Sequence, residues 1–217
     1  MRALTGVPFA ALWLCPLAEL PSAQRLAWLS ADEQARAASF AFERDRRRFL
    51  AARCALRECL SARTGVAPGS LQIVAEVFAK PYLADLPDCH FNLSRREEWA
   101  LVGIGDAGEI GVDIEMCHVV DDVVALARAH FSASEFGEFL TLAPGARDLA
   151  FLRVWTRKEA CLKAVGTGLS IAPASLDVGL GEGIVQLSIA LPAGPARVEV
   201  SSIDSGPDSV AAVARVL

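Results

Sequence analysis

The sequence predicts an α+β protein made of two similar halves that meet at a cleft. Two observations support this prediction. Each half contains strand-like and helical stretches separated by turn residues, and the second half repeats elements of the first in the same order. With 217 residues and 53% hydrophobic content, the chain is long enough and apolar enough to bury a proper core. The predicted subdomains are residues 1–104 and 105–217.

The repeat is clearest around two helical stretches. Residues 49–60 (FLAARCALRECL) and 151–162 (FLRVWTRKEACL) align without a gap and match at Phe-Leu and at Cys-Leu. After each stretch comes a glycine that we expect to end the helix, Gly65 in the first half and Gly168 in the second. A loop and a strand-like stretch follow in both cases, so two consecutive elements are repeated.

The remaining elements can be assigned in chain order. Ser30 and Glu33 form a capping-box pattern, which predicts a helix running towards Thr64 with a break near Phe42. The predicted strands are 7–17, 71–78, a hairpin of 99–104 with 109–115, 184–190, 196–203 and 209–217. The predicted helices of the second half are 119–129, 133–140 and 147–165.

Composition and charge argue against several classes of protein. A formal net charge of −5 argues against a general nucleic-acid binder, although several arginines crowd into residues 44–57. The six cysteines form no Cys-x-x-Cys pair and share no ligand spacing with the three histidines, which argues against zinc or a disulfide framework. We therefore expect reduced thiols, a cytoplasmic location and no membrane span. The apolar stretch 7–17 is interpreted as a buried strand in preference to an export signal.

Two short motifs, Gly-Val-Asp-Ile-Glu and Trp-Thr-Arg-Lys-Glu-Ala-Cys-Leu-Lys, predict the chemistry. In the first, an extended backbone places Asp113 and Glu115 on one face and the aliphatic side chains on the other. In the second, four-residue spacing on a helix places Trp155, Glu159 and Lys163 on one stripe. Three carboxylates beside a lysine are typical of a divalent cation held by oxygen ligands next to a phosphorylated substrate.

These residues also have structural interpretations, which the sequence leaves open. Glu159 and Lys163 could form only a surface ion pair, and Glu135 forms a second capping box with Ser132. The arginine-rich segment 44–57 is typical of a solvated helix face, although arginine also suits phosphate. The other candidates with local structural interpretations are Lys80, Pro81, Asn92 and Ser94.

Taken in order, the motifs resemble those of the 4′-phosphopantetheinyl transferases, specifically the surfactin-synthetase-activating type with two fused subdomains. The stretches that carry the resemblance are the helix around Phe40 and Arg48, Ala79-Lys80-Pro81, 85–94, 111–115, 131–135 and 155–163. The resemblance covers most of the chain. It implies two α+β halves related by a pseudo-twofold axis, with the active site in the cleft between them.

The resemblance also implies roles for individual residues. Three carboxylates, Asp113, Glu115 and Glu159, would hold Mg²⁺ against the pyrophosphate of coenzyme A. Two lysines, Lys158 and Lys163, would neutralise phosphate charge. The positions that match contacts to coenzyme A in its 3′-phospho-ADP part are Arg36, Arg48, Lys80, Pro81, Ser94 and Arg95.

Two departures from the family pattern bear on substrate binding. Arg95-Arg96 stands where family members usually have His-Ser, and Ala79 replaces the glycine expected before Lys-Pro. Because arginine also binds phosphate, we expect activity to be retained while the strength and pH dependence of coenzyme A binding change.

The implied reaction is transfer of 4′-phosphopantetheine from coenzyme A to a serine of an acyl or peptidyl carrier protein, with release of 3′,5′-ADP. The general base stays open among Glu159, Glu135 and a metal-bound water. The expected partners are carrier proteins of fatty-acid, polyketide or nonribosomal peptide synthesis, and the enzyme is expected to be a monomer. The alternatives are a Mg²⁺-dependent hydrolase of a nucleotide pyrophosphate and a non-catalytic module that binds carrier proteins.

Overall fold

Each half of the chain forms its own four-stranded antiparallel sheet in the computed structural model, which describes residues 1–74 and 80–217. The first sheet has the order β1-β2-β6-β5, formed by β1 (Arg2–Leu4), β2 (Ala10–Pro16), β5 (Phe91–Arg96) and β6 (Trp99–Gly105). The second has the order β7-β10-β9-β8, formed by β7 (Ile110–Met116), β8 (Val185–Ile189), β9 (Ala196–Ile203) and β10 (Ser209–Val216). The two-residue strands β3 (Ile73–Val74) and β4 (Tyr82–Leu83) pair separately. The predicted strand 71–78 therefore lies partly outside the described residues.

Six helices accompany the sheets in the described part of the chain: α1 (Ala23–Leu26), α2 (Ala31–Ala38), α3 (Glu43–Thr64), α4 (Val123–His130), α5 (Ala133–Thr141) and α6 (Arg147–Val165). Both predicted capping boxes form, at Ser30 with Glu33 and at Ser132 with Glu135. The long helix α3 ends at Gly65, as predicted, in a left-handed conformation. The helix α6 ends at Gly166 with φ 73°, so the prediction of Gly168 was two residues too late. The α+β class is confirmed.

The predicted hairpin between β6 and β7 was wrong, although both strands are present. The strand β6 pairs with β2 on one side and with β5 on the other, so both of its edges are occupied. The strand β7 pairs instead with β10. The glycine-containing turn between β6 and β7 thus carries the chain from the first sheet to the second.

The core has a layer on each face of the sheets. Helix α3 packs on one face of the first sheet through side chains such as Leu56 and Leu60, and α6 packs on the second sheet through Leu162. A third apolar cluster joins residues of both sheets, among them Leu101 of β6 and Val112 of β7. The two halves therefore meet sheet against sheet.

The strand β7 lies unusually close to helix α6 at Gly111. A Cβ atom at Gly111 would lie 2.1 Å from the carbonyl oxygen of Ala160 and 2.4 Å from the amide nitrogen of Ala164. Only glycine permits this approach of backbone to backbone. Because Asp113 and Glu115 follow on the same face of β7, the contact sets them beside α6.

A matching buried ion pair stands in each half. Glu33 pairs with Arg57, whose Nη1 donates to the carbonyl oxygens of Pro68 (2.8 Å) and Leu71 (3.0 Å). In the second half, the Nζ of Lys158 lies 2.7 Å from Glu135 Oε2 and donates to the carbonyl oxygens that close the 3₁₀ turn, Pro173 and Leu176. In their contacts, Arg57 and Lys158 are therefore equivalent residues of the two halves. The gapless alignment would instead pair Arg57 with Glu159, one residue later. The pseudo-twofold axis and the exact boundary between residues 104 and 105 stay predictions.

No helix within residues 1–74 and 80–217 combines the length and the apolar character needed to cross a lipid bilayer.

The close contact at Gly111 yields a test of stability. The Gly111→Ala variant is expected to lose about 3 kcal/mol of unfolding free energy, because the methyl group would overlap backbone atoms that cannot rotate away. The matched control is Gly137→Ala within α5, where a Cβ atom meets nothing within 4 Å. That variant should be neutral or more stable by about 0.5 kcal/mol. Urea denaturation of both variants measures the difference, and equal stabilities would contradict the inferred contact.

Candidate active site

The two halves border a cleft of about 630 Å³. Its lining comes from both halves and is mostly polar or charged: Leu17, Phe40, Asp45, Arg48, Leu93, Ser94, Arg95, Arg96, Glu97, Asp113, Ile114, Glu115, Trp155, Glu159 and Lys163. Five of these side chains are acidic and four are basic. The cleft therefore brings together the acidic motif of β7, the stripe of α6 and the end of β5.

Alternate side chains of β5 reach across to β7 and form what we call the cross-strand ladder. Asn92 Oδ1 accepts a hydrogen bond from the backbone N–H of Val112 at 3.0 Å. Two residues on, Ser94 Oγ donates to Asp113 Oδ1 at 2.7 Å. The last rung is an ion pair, in which Arg96 Nε lies 2.8 Å from Glu115 Oε2. The ladder connects the two sheets directly at the floor of the cleft.

Asp113 is the centre of a charge-assisted network. Its Oδ1 accepts hydrogen bonds from Ser94 and from Lys163 Nζ, the latter at 2.5 Å, and Lys163 also donates to Ser94 Oγ at 3.2 Å. The other oxygen, Asp113 Oδ2, is buried and has no hydrogen-bond partner among the described residues. A buried carboxylate oxygen without a partner is costly unless a cation or donor binds there. Asp113 is thus held in place with one oxygen free.

Burial acts on the two other carboxylates of the cleft. Desolvation raises the pKa of Glu115; the charge of Arg96 opposes this shift and the charge of Asp113 adds to it. Desolvation likewise raises the pKa of Glu159, with the charge of Lys163 opposing and that of Asp113 adding. Each carboxylate would be stabilised in its charged form by an additional cation. In the described part of the chain, however, no three His, Cys, Asp or Glu side chains are gathered closely enough to hold a metal ion.

Arginine and phenylalanine side chains alternate at the first-half side of the cleft, in a set that we call the basic aromatic patch: Arg36, Phe40, Phe49 and Arg95, of which Phe40 and Arg95 line the cleft. The Arg36 guanidinium lies 5.2 Å from the centroid of Phe40, and that of Arg95 lies 5.7 Å from the centroid of Phe49. The two rings are 5.4 Å apart. Stacked guanidinium groups keep their N–H donors free for an anion.

Comparison with known proteins agrees with this geometry. The model of the family described as "4'-phosphopantetheinyl transferase superfamily" matches residues 109–214, and that described as "4'-phosphopantetheinyl transferase, N-terminal" matches residues 16–105. The chain is 38% identical over 165 residues to 4'-phosphopantetheinyl transferase HetI of Nostoc sp., covering 73% of this chain and 69% of that protein. The chain belongs to the 4′-phosphopantetheinyl transferase superfamily.

Two relatives in Bacillus extend the match along more of the chain. The chain is 30% identical to 4'-phosphopantetheinyl transferase psf-1 of Bacillus pumilus, over 82% of this chain and 75% of that protein. It is 26% identical to 4'-phosphopantetheinyl transferase Sfp of Bacillus subtilis, over 88% of this chain and 84% of that protein. The predicted family and transferase class are confirmed, with coenzyme A as substrate and a carrier protein as partner at the level of the superfamily. The hydrolase and binding-module alternatives have no support.

Several residues predicted from the transferase motifs line the cleft. These are Asp113, Glu115, Glu159, Lys163, Arg48, Ser94 and Arg95. Arg36 stands behind them, in contact with Phe40 of the cleft wall. Arg48 is engaged by Glu98, with its Nη2 2.7 Å from Oε1, so this arginine already has a carboxylate partner.

The structure does not bring Lys80 and Pro81 into the cleft lining. Lys80 instead forms an ion pair with Glu109 and donates to the carbonyl oxygen of Ile110 at 2.6 Å, at the point where the chain enters β7. His90 Nδ1 lies 3.1 Å from the same Glu109. Ala79, the departure before Lys80, lies outside the described residues. Lys80 thus braces the link between the halves.

The predictions for Glu135 and Lys158 need correction. Both side chains are almost completely buried against each other, at 1% and 0% exposure. Glu135 also accepts hydrogen bonds from the backbone N–H groups of Ser132 and Val178. Lys158 immediately precedes Glu159 in the sequence, but adjacent helical residues point about 100° apart, so Lys158 lies off the cleft-facing stripe. Neither residue can meet a phosphate or a serine hydroxyl in this position.

Arg96 is the cleft residue to which the sequence reasoning assigned no role. The signal was the strand alternation, because a side chain two residues after Ser94 lies on the same face of β5. The turn that follows contains Glu97 at φ 50°, an uncommon backbone conformation for a residue other than glycine, which also directs Glu97 to the cleft.

The burial of Lys158 can be tested against its predicted role in phosphate binding. The Lys158→Ala variant is expected to lose about 3–5 kcal/mol of stability, because Glu135 would be left as an uncompensated buried charge. The KM for coenzyme A should not change in the folded fraction. The control is Arg153→Ala on the same helix, which removes a surface pair with Glu182 and should cost at most about 1 kcal/mol. Normal stability with a raised KM would restore the phosphate-binding interpretation.

Proposed function

We propose that this chain transfers the 4′-phosphopantetheine group of coenzyme A to a serine of an acyl or peptidyl carrier protein in the cleft between its halves. The observation that carries the proposal is the network of Ser94, Asp113 and Lys163 beside Glu159, which joins both halves around a buried free carboxylate oxygen. In the reaction, the serine oxygen bonds to the β-phosphorus of coenzyme A. The bond from that phosphorus to the bridging oxygen breaks, and 3′,5′-ADP leaves with the electron pair.

The donor chemistry of the cleft suits a divalent cation of the magnesium type, although its carboxylates do not form a ready-made cluster of three ligands in the described part of the chain. The candidate ligands Asp113, Glu115 and Glu159 are carboxylates, which are the hard oxygen donors that Mg²⁺ prefers. One of their oxygens, Asp113 Oδ2, is buried without a hydrogen-bond partner in the described structure, and Glu115 Oε2 is buried with only the ion pair to Arg96. Bound Mg²⁺ would supply neutralisation of the negative charge on the pyrophosphate.

Lys163 serves the reaction in two ways. Its ammonium group orients Asp113 through the 2.5 Å contact with Oδ1. The side chain is 28% exposed at the cleft, so the same charge lies within reach of an incoming phosphate. Phosphoryl transfer depends mainly on positioning and on neutralising charge that spreads over the transferred group. A fixed ammonium group beside the carboxylates meets both needs.

Glu159 is the residue that we propose as general base. It lies in the cleft, whereas Glu135 is buried in the second half with all of its contacts internal. The carboxylate of Glu159 faces the cleft, where it can accept the proton of an incoming serine hydroxyl. A carboxylate has two oxygens, so one can accept the serine proton while the other contacts the cation.

The basic aromatic patch and Arg48 are proposed to bind the 3′-phospho-ADP part of coenzyme A. Arg95 and Arg36 offer guanidinium donors at fixed positions over Phe49 and Phe40. Arg48 would exchange Glu98 for a phosphate oxygen, a partner that matches its fork equally well. Ser94 continues this surface towards Asp113, so the nucleotide side and the reacting centre share one wall.

We also propose a monomeric, cytoplasmic enzyme that binds neither nucleic acid nor membranes and acts on carriers of fatty-acid, polyketide or nonribosomal peptide synthesis. All six cysteines are free thiols, which suits a reducing compartment. The net charge of −5 favours neither nucleic acid nor an anionic membrane as partner.

The role of Glu159 predicts a large loss of activity without loss of fold. The Glu159→Gln variant should form holo carrier protein at least about 100-fold more slowly than the wild type. Glutamine lacks the negative charge that would bind the cation and accept the proton of the serine. The measurement is the intact mass of an apo carrier protein incubated with enzyme, coenzyme A and Mg²⁺, with a parallel EDTA sample. The matched control is Glu138→Gln at an exposed position of α5. This variant should retain activity. Normal rates from Glu159→Gln would overturn the assignment.

The basic aromatic patch predicts an effect on substrate affinity. The Arg95→Ala variant should raise the KM for coenzyme A about tenfold and change kcat less, because it removes a phosphate contact made before and during the reaction. Steady-state kinetics with varied coenzyme A provide the measurement. Arg46→Ala is the control, since Arg46 pairs with Glu43 and is absent from the cleft lining. An unchanged KM in Arg95→Ala would remove this residue from the proposed nucleotide site.

A further inference from the structure

Arg96 occupies the last rung of the cross-strand ladder, directly on a proposed metal ligand. Its Nε lies 2.8 Å from Glu115 Oε2, and no other carboxylate within the described residues pairs with it. Glu115 Oε2 is also one of the buried oxygens that lack a properly oriented hydrogen bond. The guanidinium therefore lies on one of the two oxygens of a proposed metal ligand.

The contacts of Asp113 in the second rung differ from those of Glu115 in the last rung. Lys163 and Ser94 both contact Asp113 Oδ1, so they orient the carboxylate and leave Oδ2 free. Arg96 instead covers Oε2 of Glu115. A divalent cation that binds Glu115 would lie beside the positive charge of Arg96, and like charges at contact distance repel strongly.

The ion pair between Arg96 and Glu115 is also able to dissociate. Its side chain is 45% exposed, whereas that of Glu115 is only 16% exposed. A partly solvated ion pair of this kind contributes little free energy, so exchange of its partner is accessible at ordinary temperature. Arg96 lines the cleft together with Lys163, where an incoming phosphate would offer its guanidinium a new acceptor.

We propose that Arg96 is a positioning residue that competes with the divalent cation for Glu115 and so weakens metal binding by the substrate-free enzyme. This proposal rests on the proposed function, because it assigns Glu115 to the metal. Its consequence is an order of events: Glu115 becomes available to the cation when Arg96 moves to another anion. The other rungs of the ladder, at Asn92 and Ser94, do not involve Arg96 or Glu115.

The test is Mn²⁺ binding to the purified full-length enzyme without coenzyme A, followed by the electron paramagnetic resonance signal of free Mn²⁺. The Arg96→Ser variant should bind Mn²⁺ about fivefold more tightly than the wild type, the change expected for loss of a partly exposed competing ion pair. The matched control is Arg95→Ser, which removes the same charge from the adjacent position of β5 but no contact with Glu115. Its dissociation constant should change less than that of Arg96→Ser.

A double-mutant cycle separates the pair from a general effect of charge. In a Glu115→Gln background, Arg96→Ser should no longer alter Mn²⁺ affinity. The Arg96→Lys variant retains the positive charge and should restore weak binding. Thermal unfolding of each variant checks that the fold is intact, and Arg96→Gln provides a second neutral variant.

Three outcomes would overturn the proposal. These are equal affinities in Arg96→Ser and wild type, equal effects of Arg96→Ser with and without Glu115, and no Mn²⁺ binding by either protein. The mass assay with carrier protein is run on the same preparations. Carrier modification with unchanged Mn²⁺ affinity would reject the role of Arg96 and leave the transferase function standing, whereas absent modification by the wild type would count against the function itself.

Discussion

The contact between β7 and α6 at Gly111 is the constraint on which the site depends. With no side chain at this position, the strand backbone touches the helical turn that contains Ala160 and Ala164. Asp113 lies two residues further along the strand, and Glu159 and Lys163 belong to the touching turn of the helix. A short link between two rigid elements fixes the distance from carboxylate to ammonium far better than a loop could. The 2.5 Å contact of Lys163 with Asp113 is the result.

The buried ion pairs explain why α6 can present one face to the cleft and hold its place with another. Lys158 is clamped by Glu135 and by the carbonyl oxygens of the 3₁₀ turn at Pro173. This clamp stops the helix from turning about its axis or sliding along β7. In the first half, Arg57 with Glu33 clamps α3 in the same manner. Both buried cations thus belong to structural ion pairs, whereas Glu159 and Lys163 of α6 line the cleft.

Local periodicity was sufficient to predict much of the site, because it needs only neighbouring residues. Strand alternation placed Asp113 and Glu115 on one face, and helical spacing placed Glu159 with Lys163; both pairs line the cleft. Local periodicity could not predict which distant strands pair with each other. The turn after β6 has hairpin residues, yet β7 pairs with a strand some hundred residues later. For the same reason the sequence could not reveal that Lys158 faces Glu135, since periodicity gives a direction but not what lies there.

The cross-strand ladder shows that the cleft is more than a gap between two independent halves. Ser94 and Arg96 belong to the first sheet, but their partners Asp113 and Glu115 belong to the second. Each carboxylate is therefore oriented by a side chain from the other half, and the apolar cluster shared by the sheets packs β7 against β2 and β6, the latter being the neighbour of β5. Separating the halves would leave Asp113 with Lys163 alone and Glu115 with neither partner nor burial. The cleft thus depends on both halves, because side chains of β5 contact the carboxylates of β7 across the junction.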